Sequence, residues 1–187
     1  MHIEIKNQLE DVLTGIENSD DLNQTICDCL KKAFQITDDK YAKLFPAESK
    51  LCGTTAVVAL IVGNKLYCAN LGDARGIMCR DGKAIDLSVD HKAKRKDEQE
   101  RIKSQGGYIV YGRVLGRLAI SRAFGDFDCK NIEMPAKNLD GTEIPGGEKV
   151  IRSFILCEPE IRVVDIDPRR DDFFLLASDG LYDRYSS

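Results

Sequence analysis

Two dipeptides constrain this chain more than anything else in it. Gly63-Asn64 separates "TTAVVALIV" from "KLYCANLG", and Asp81-Gly82 separates "ARGIMCR" from "KAIDL". Such pairs between β-branched or apolar runs mark tight hairpins, because the primed turns need positive φ and match the twist of the strands they join. The stretch from Thr54 to Leu87 therefore predicts a meander in which successive neighbouring strands are antiparallel. Before it, the first forty-five residues read as two helices. In the second of them Leu22, Ile26, Leu30, Ala33 and Phe34 recur at helical spacing, with Asp20 or Asp21 placed to cap the start. After the meander, "HKAKRKDEQERIKSQGG" predicts a charged surface helix closed by Gly106-Gly107. Short strands are expected near Tyr108 to Leu115 and Arg117 to Ile120, followed by a Gly/Pro-containing loop from about Asn131 to Lys149. Further strands are expected in "VIRSFILCEPEIRVVDID" and "DFFLLASDG". No repeat or linker divides the chain, so the expected class is α+β, a largely antiparallel sheet system with helices packed on its faces.

Composition excludes several functions. At 187 residues with 43% hydrophobic and 31% charged residues, the chain matches a soluble globular domain. A net charge of -4 argues against nucleic acid as a partner, since phosphate backbones are captured by a basic field. No apolar run approaches the roughly 18 residues that cross a bilayer, and the first residues do not form a signal-peptide core, so the expectation is a cytoplasmic or nuclear protein without membrane association. The seven cysteines are scattered without a C-x-x-C pair, which points to neither a disulfide framework nor a zinc site. A P-loop is out because Gly82-Lys83 is followed by Ala84. With His2 and His91 as the only histidines and no G-x-S-x-G elbow, a nucleophile triad has few candidate bases. No cysteine stands six positions before an arginine, as a thiol phosphatase loop would need. Asp126 and Asp128 begin like a calcium loop, but Asn131 and Lys137 occupy the positions of its glycine and its closing glutamate.

What remains is a set of aspartates beside glycines at the ends of apolar runs. Asp81 sits in a hairpin turn, and Asp73 is expected to make a local turn or structural hydrogen bonds. Asp126 and Asp179 are different, because a carboxylate at the end of a buried strand needs compensation. An arginine such as Arg122 or Arg117, a set of backbone amides, or a divalent cation could supply it. If Asp126, Asp179 and Asp183 converge, three hard oxygen donors select magnesium or manganese over zinc or copper. Taken alone, the residues leave the structural and the metal-binding readings both open.

Read together and in order, "KLCGTTAVVALIVGNKLYCANLGDARGIMCRDGKAIDLSVDHK", "ERIKSQGGYI", "RVLGRLAISRAFGDFDCK", "EPEIRV" and "DDFFLLASDGLYD" resemble the metal-dependent protein serine/threonine phosphatases of the 2C type, from about Lys50 to Asp183. The resemblance implies a sandwich of two antiparallel sheets flanked by helices, αββα in four layers, with magnesium or manganese in a cleft at one end. It implies that Asp179 is a ligand of a dinuclear metal centre and that Asp126 and Asp183 hold a further, weaker ion. It further implies in-line attack of a metal-activated water on phosphoserine or phosphothreonine proteins, with no phosphoenzyme. The Gly53 to Ala56 and Arg113 to Gly125 segments are structural in that family. Nothing before Lys50 matches the family's opening strands or its Asp-Gly-His-Gly motif, and only four residues follow Asp183. The expectation is therefore one domain over 1–187, helical over 1–49 and sheet-rich over 50–187, incomplete at both ends. Its own activity is then open, the alternative being a catalytically inactive binding or regulatory module. Uncovered sheet edges would favour pairing with another chain. The Asn131 to Lys149 loop is the expected docking loop, and "HKAKRK" is expected to be a solvated helix face.

Overall fold

The computed structural model describes residues 3–7, 19–136 and 142–187. Residues 3–7 are helical, and a 26-residue helix, α1 (Ser19–Leu44), follows. Asp20 and Asp21 fall within the bounds of α1, in its first turn. The apolar stripe of α1 behaves as its spacing predicts. Ile26, Leu30, Ala33 and Phe34 are fully buried against one face of a sheet. A single turn, α2 (Glu48–Leu51), leads into β1 (Gly53–Thr54).

The meander consists of β2 (Ala56–Val62), β3 (Lys65–Leu71), β4 (Arg75–Arg80) and β5 (Lys83–Asp86). Both hairpins form as predicted, β2 with β3 and β4 with β5, each antiparallel. Asp81 (φ 53°) and Gly82 (φ 70°) make the second turn, as Asp81's position in the sequence implied. One expectation fails: β3 and β4 are not paired. At Gly72-Asp73 the chain leaves one sheet and enters another, so β3 lies between β11 (Glu160–Asp165) and β2, while β4 lies between β12 (Asp171–Ala177) and β5. The physical reason is that β3 is apolar on both faces. Leu66 and Cys68 point into the space between the sheets with Met78, Leu87 and Leu176, whereas Tyr67, Ala69 and Leu71 point the other way, onto α1. A strand buried on both sides must sit in the middle layer. The result, among the described residues, is helix on sheet on sheet, with no helical layer on the outer face of β12-β4-β5.

A second core carries the middle of the chain. Helix α3 (Lys96–Ser104) packs Ile102 against Val114, Ala123, Cys129, Phe154 and Ile155. Its end is a Schellman motif: Gly107 N–H donates to Ile102 O at 2.9 Å and Gly106 N–H to Lys103 O at 2.9 Å, with Gly106 at φ 88°. The short strands expected after it are β6 (Ile109–Val110) and β7 (Arg113–Val114), while Arg117 to Ile120 contributes isolated bridges and no strand. β8 (Phe124–Gly125) pairs with β1. The ends of the expected Asn131 to Lys149 loop are instead a hairpin, β9 (Ile132–Pro135) against β10 (Lys149–Arg152), so the loop proper is shorter than the glycines and prolines suggested. Lys137 lies outside the described residues. The last element is α4 (Asp179–Tyr182).

Candidate functional site

The turn that follows β12 delivers Asp179. Ser178 leaves the strand in an extended conformation and α4 starts at the aspartate. Asp183 N–H donates to Asp179 O at 2.7 Å, so the two carboxylates stand one helical turn apart, and both are exposed. This corrects the expectation of a buried strand end. β12 is an edge strand whose Phe173, Phe174 and Leu175 remain 58%, 42% and 38% exposed, so its apolar character does not place Asp179 in a dry environment. The seat of α4 is defined by Arg75 on β4. Its guanidinium lies 4.6 Å from the Tyr182 ring centre and donates to both oxygens of Asp90 at 3.0 Å. Beside it, Lys92 pairs with Asp73, the structural hydrogen bond expected of that aspartate. Burial opposes the Lys92 charge, but the Asp73 hydrogen bond and the charges of Asp73, Asp90 and Asp179 outweigh it and hold its pKa above the ordinary value.

Asp126 stands directly after β8, in a setting built for it. Gly125 (φ 69°) and Asp126 (φ 52°) are both left-handed, which turns the chain sharply out of β8. The Asp126 carboxylate then lies directly over Gly53 on β1, where a Cβ would come within 2.0 Å of Oδ2. Gly125 is equally committed, since a Cβ there would meet Cys52 O at 2.1 Å. These contacts explain why both strands of the β1–β8 pair carry glycine. Asp126 is buried, and burial raises its pKa, with Lys130 and Arg117 pulling it back and Asp38 adding to the rise. Arg122, one of the counter-ions expected for it, is engaged instead by Glu98 at 2.7 Å, Glu160 at 3.4 Å and Glu158 O at 3.0 Å. Arg117 reaches Asp128 at 3.5 Å and acts on Asp126 only through its field.

Two structures around these aspartates escape the sequence reading. The first is a buried clamp from α1. Asp38 accepts Gly125 N–H at 2.7 Å and pairs with Lys130, which also donates to Ala123 O at 2.8 Å. It fixes the turn that presents Asp126. The second joins α3 to β11. Buried Glu98 accepts from Arg101 at 2.9 Å and from Arg122, and Arg95 pairs with Glu160. Burial would raise the Glu98 pKa, yet hydrogen bonds from Arg122, Arg101 and Ser121 bring it down to about 2. His91 accepts Gly72 N–H on Nδ1 at 3.0 Å, leaving its proton on Nε2, which faces Glu160 at 3.4 Å. Burial, reinforced by Arg122, lowers its pKa to about 4, so it is neutral at physiological pH.

Among the described residues, Asp97, Glu98 and Glu160 are the acidic group whose oxygens lie within 4.8 Å of one another. Arg95, Arg101 and Arg122 supply one guanidinium for each of these carboxylates, which makes the group a salt-bridge network that needs no cation. Asp179 and Asp183 are brought together on α4, and Asp126 is not gathered with them into such a group.

A solved structure titled serine-threonine phosphatase 2C from Toxoplasma gondii superposes on 97% of this chain and 60% of its own with a TM-score of 0.70, at 21% identity. The fold is thus that of a phosphatase 2C. A structure titled as a C. elegans sex determining protein matches 97% of the chain and 40% of its own with a TM-score of 0.69, at 26% identity. The protein phosphatase 2C family model matches residues 5–187, and the chain belongs to that family. Among curated relatives, probable protein phosphatase 2C 45 of Oryza sativa is 38% identical over 154 residues, which are 81% of this chain and 46% of that protein. Probable protein phosphatase 2C 11 of Arabidopsis thaliana is 34% identical over 98% of this chain and 43% of its own length. The chain therefore spans less than half the length of these relatives.

Proposed function

We propose that this chain is the central part of a metal-dependent protein serine/threonine phosphatase domain and contributes Asp179 to the principal metal centre. The observation that carries this reading is the geometry at the end of β12, in a chain of this family. Asp179 and Asp183 stand exposed on one helical turn, with no ion pair to another side chain among the described residues. Hard carboxylate oxygens in that arrangement suit magnesium or manganese. Asp126 fits a cation differently: it is buried and, among the described residues, receives no side-chain hydrogen bond, so a nearby positive charge would offset its burial. When bound, the ions would supply an activated water and neutralise phosphoryl charge. The chain's own residues have defined tasks around that chemistry. Asp179, Asp183 and Asp126 offer oxygens, the Asp38–Lys130 pair holds the Asp126 turn, and Arg75 seats α4 through Tyr182. The substrates of this reading are phosphoserine and phosphothreonine proteins.

Titration with manganese followed by electron paramagnetic resonance, together with phosphate release from a phosphothreonine peptide, tests it. Bound manganese is expected to fall by roughly tenfold or more in Asp179→Asn and less in Asp126→Asn. Manganese binding that is absent in the parent chain, or undiminished in Asp179→Asn, overturns the assignment. A second reading, a catalytically inactive phosphatase-like binding module, draws on the apolar outer face of β12-β4-β5, where Phe173, Leu175, Ile77 and Cys79 lie on one side. Metal-dependent phosphate release that Asp179→Asn abolishes excludes that alternative.

A further inference from the structure

The charge of this chain is distributed unevenly. Between Lys92 and Arg122 there are nine lysines and arginines and three acids, a local charge of +6 in a chain whose net charge is -4. Part of that charge is internal, since Lys92, Arg95, Arg101, Arg117 and Arg122 are spent on the ion pairs described above. The rest is not. Lys94, Lys96 and Lys103 are exposed and have no carboxylate partner among the described residues. Arg113 is also exposed, its guanidinium donating, among the described residues, only to Arg117 O at 2.8 Å. Of the three acids of the segment, Asp97 and Glu98 are already held by arginines, and exposed Glu100 forms no ion pair with these cations among the described residues.

The same lobe displays aromatic surface. Tyr111 forms the tip of the β6–β7 hairpin, is 98% exposed and has φ 52°. A bulky residue in the left-handed region is strained, and nothing in the fold repays that strain, since the ring touches no core cluster. Tyr108 and Val110 on the same hairpin are exposed as well. Lys94 lies across the tip: a Cβ on Gly112, which follows Tyr111 in the turn, would come within 2.3 Å of its Cε.

We propose that the lobe made by α3 and the β6–β7 hairpin docks an acidic segment of a partner protein, with Lys94, Lys103 and Arg113 meeting its carboxylates and Tyr111 packing against its chain. Charge complementarity selects this occupant. Nucleic acid fits less well, because a polyphosphate backbone calls for a continuous basic track, and the rest of this chain carries a charge of -10. A discrete run of acidic side chains can engage the lobe alone. The proposal is independent of metal binding at Asp179.

Fluorescence anisotropy with the full chain and a labelled peptide of alternating glutamate and serine tests it, with oligo-dT of equal charge as a second arm. The peptide is expected to bind with an affinity that falls steeply between about 50 and 200 mM salt. The triple variant Lys94→Glu/Lys103→Glu/Arg113→Glu should weaken it by about tenfold or more. Tyr111→Asn, which suits the left-handed turn, should weaken it several-fold while the thermal midpoint stays level or rises. No binding to the peptide, equal binding by the triple variant, or tighter binding of oligo-dT overturns the proposal.

Discussion

The two sheets of the sandwich are built from similar strands and end in opposite environments. Strands β2 and β3 alternate apolar residues between two faces, and both faces are covered: one by the facing sheet, the other by Ile26, Leu30 and Phe34 of α1. Strands β4 and β12 alternate in the same way. Their inner residues Met78 and Leu176 are packed, but Phe173 and Leu175 on the outer face remain open. Two sheets with the same pattern therefore differ in what an apolar residue contributes. Burial stabilises only where a second surface excludes water, so the covered sheet should carry most of the stability and the bare one should carry the surface available for association.

The strongest test of that difference is Phe34→Ala, which empties the covered side. A loss of about 4 kcal/mol is expected in urea unfolding; a loss below about 1 kcal/mol would mean that α1 contributes little to the sheet beneath it. Lys130→Met comes next. It leaves buried Asp38 without its cation at the end of α1, and a loss of about 3 kcal/mol is expected, with the Asp126 turn loosened. Hydrogen exchange at Gly125 N–H, which donates to Asp38, would report that loosening, and unchanged protection would contradict it.

Acid should act on the covered sheet through β11. His91 is held at about 4 against 6.5 for the free side chain, and it faces Arg122, Glu160, Arg95 and Glu98. The unfolded chain therefore takes up that proton first. The contribution of His91 is whole above pH 6.5 and is lost as pH falls toward 4. Glu98, at about 2 against 4.5, extends the loss from pH 4.5 downward with the same sign. Stability is expected to fall by about 2 to 3 kcal/mol between pH 6.5 and 4, and His91→Gln should flatten that window while leaving the lower one. A parallel decline in His91→Gln would assign the effect to other groups.

The smallest change is expected on the bare face. Phe173→Ser with Leu175→Ser should move stability by no more than about 0.5 kcal/mol while reducing hydrophobic dye binding and any self-association seen by light scattering. A loss of about 2 kcal/mol or more would show that this face is covered in solution.

Much of this was legible in the residues. The hairpin dipeptides located both turns, the 3.6-residue spacing of Ile26, Leu30 and Phe34 located the buried stripe of α1, and Gly106-Gly107 located the helix stop. Each is a local signal, because it depends on φ at one or two positions or on the pitch of a single element. Asp179 and Asp126 could be singled out for the same reason, as carboxylates beside glycines at the ends of apolar runs. Other facts depended on how distant segments meet. Nothing near Asp38 in the sequence indicates that it faces Lys130, 92 positions later. Arg122 looked like a counter-ion for Asp126, four residues away, yet the fold turns it toward Glu98 and Glu160. The split of the meander at Gly72-Asp73 was likewise invisible, since pairing within a sheet and crossing between sheets use the same strand pattern.

The sequence by itself determined most of the longer strands and helices, both meander turns, and which aspartates merit suspicion, because backbone sterics and hydrophobic period act over a few residues. Tertiary structure alone decided which sheet is covered and which arginine meets which carboxylate. It also decided that Asp179 and Asp183 stand exposed on one turn while Asp126 is buried over Gly53. Burial and charge pairing are properties of surfaces brought together across the whole chain, and the energy of each contact exists only once both partners are in place.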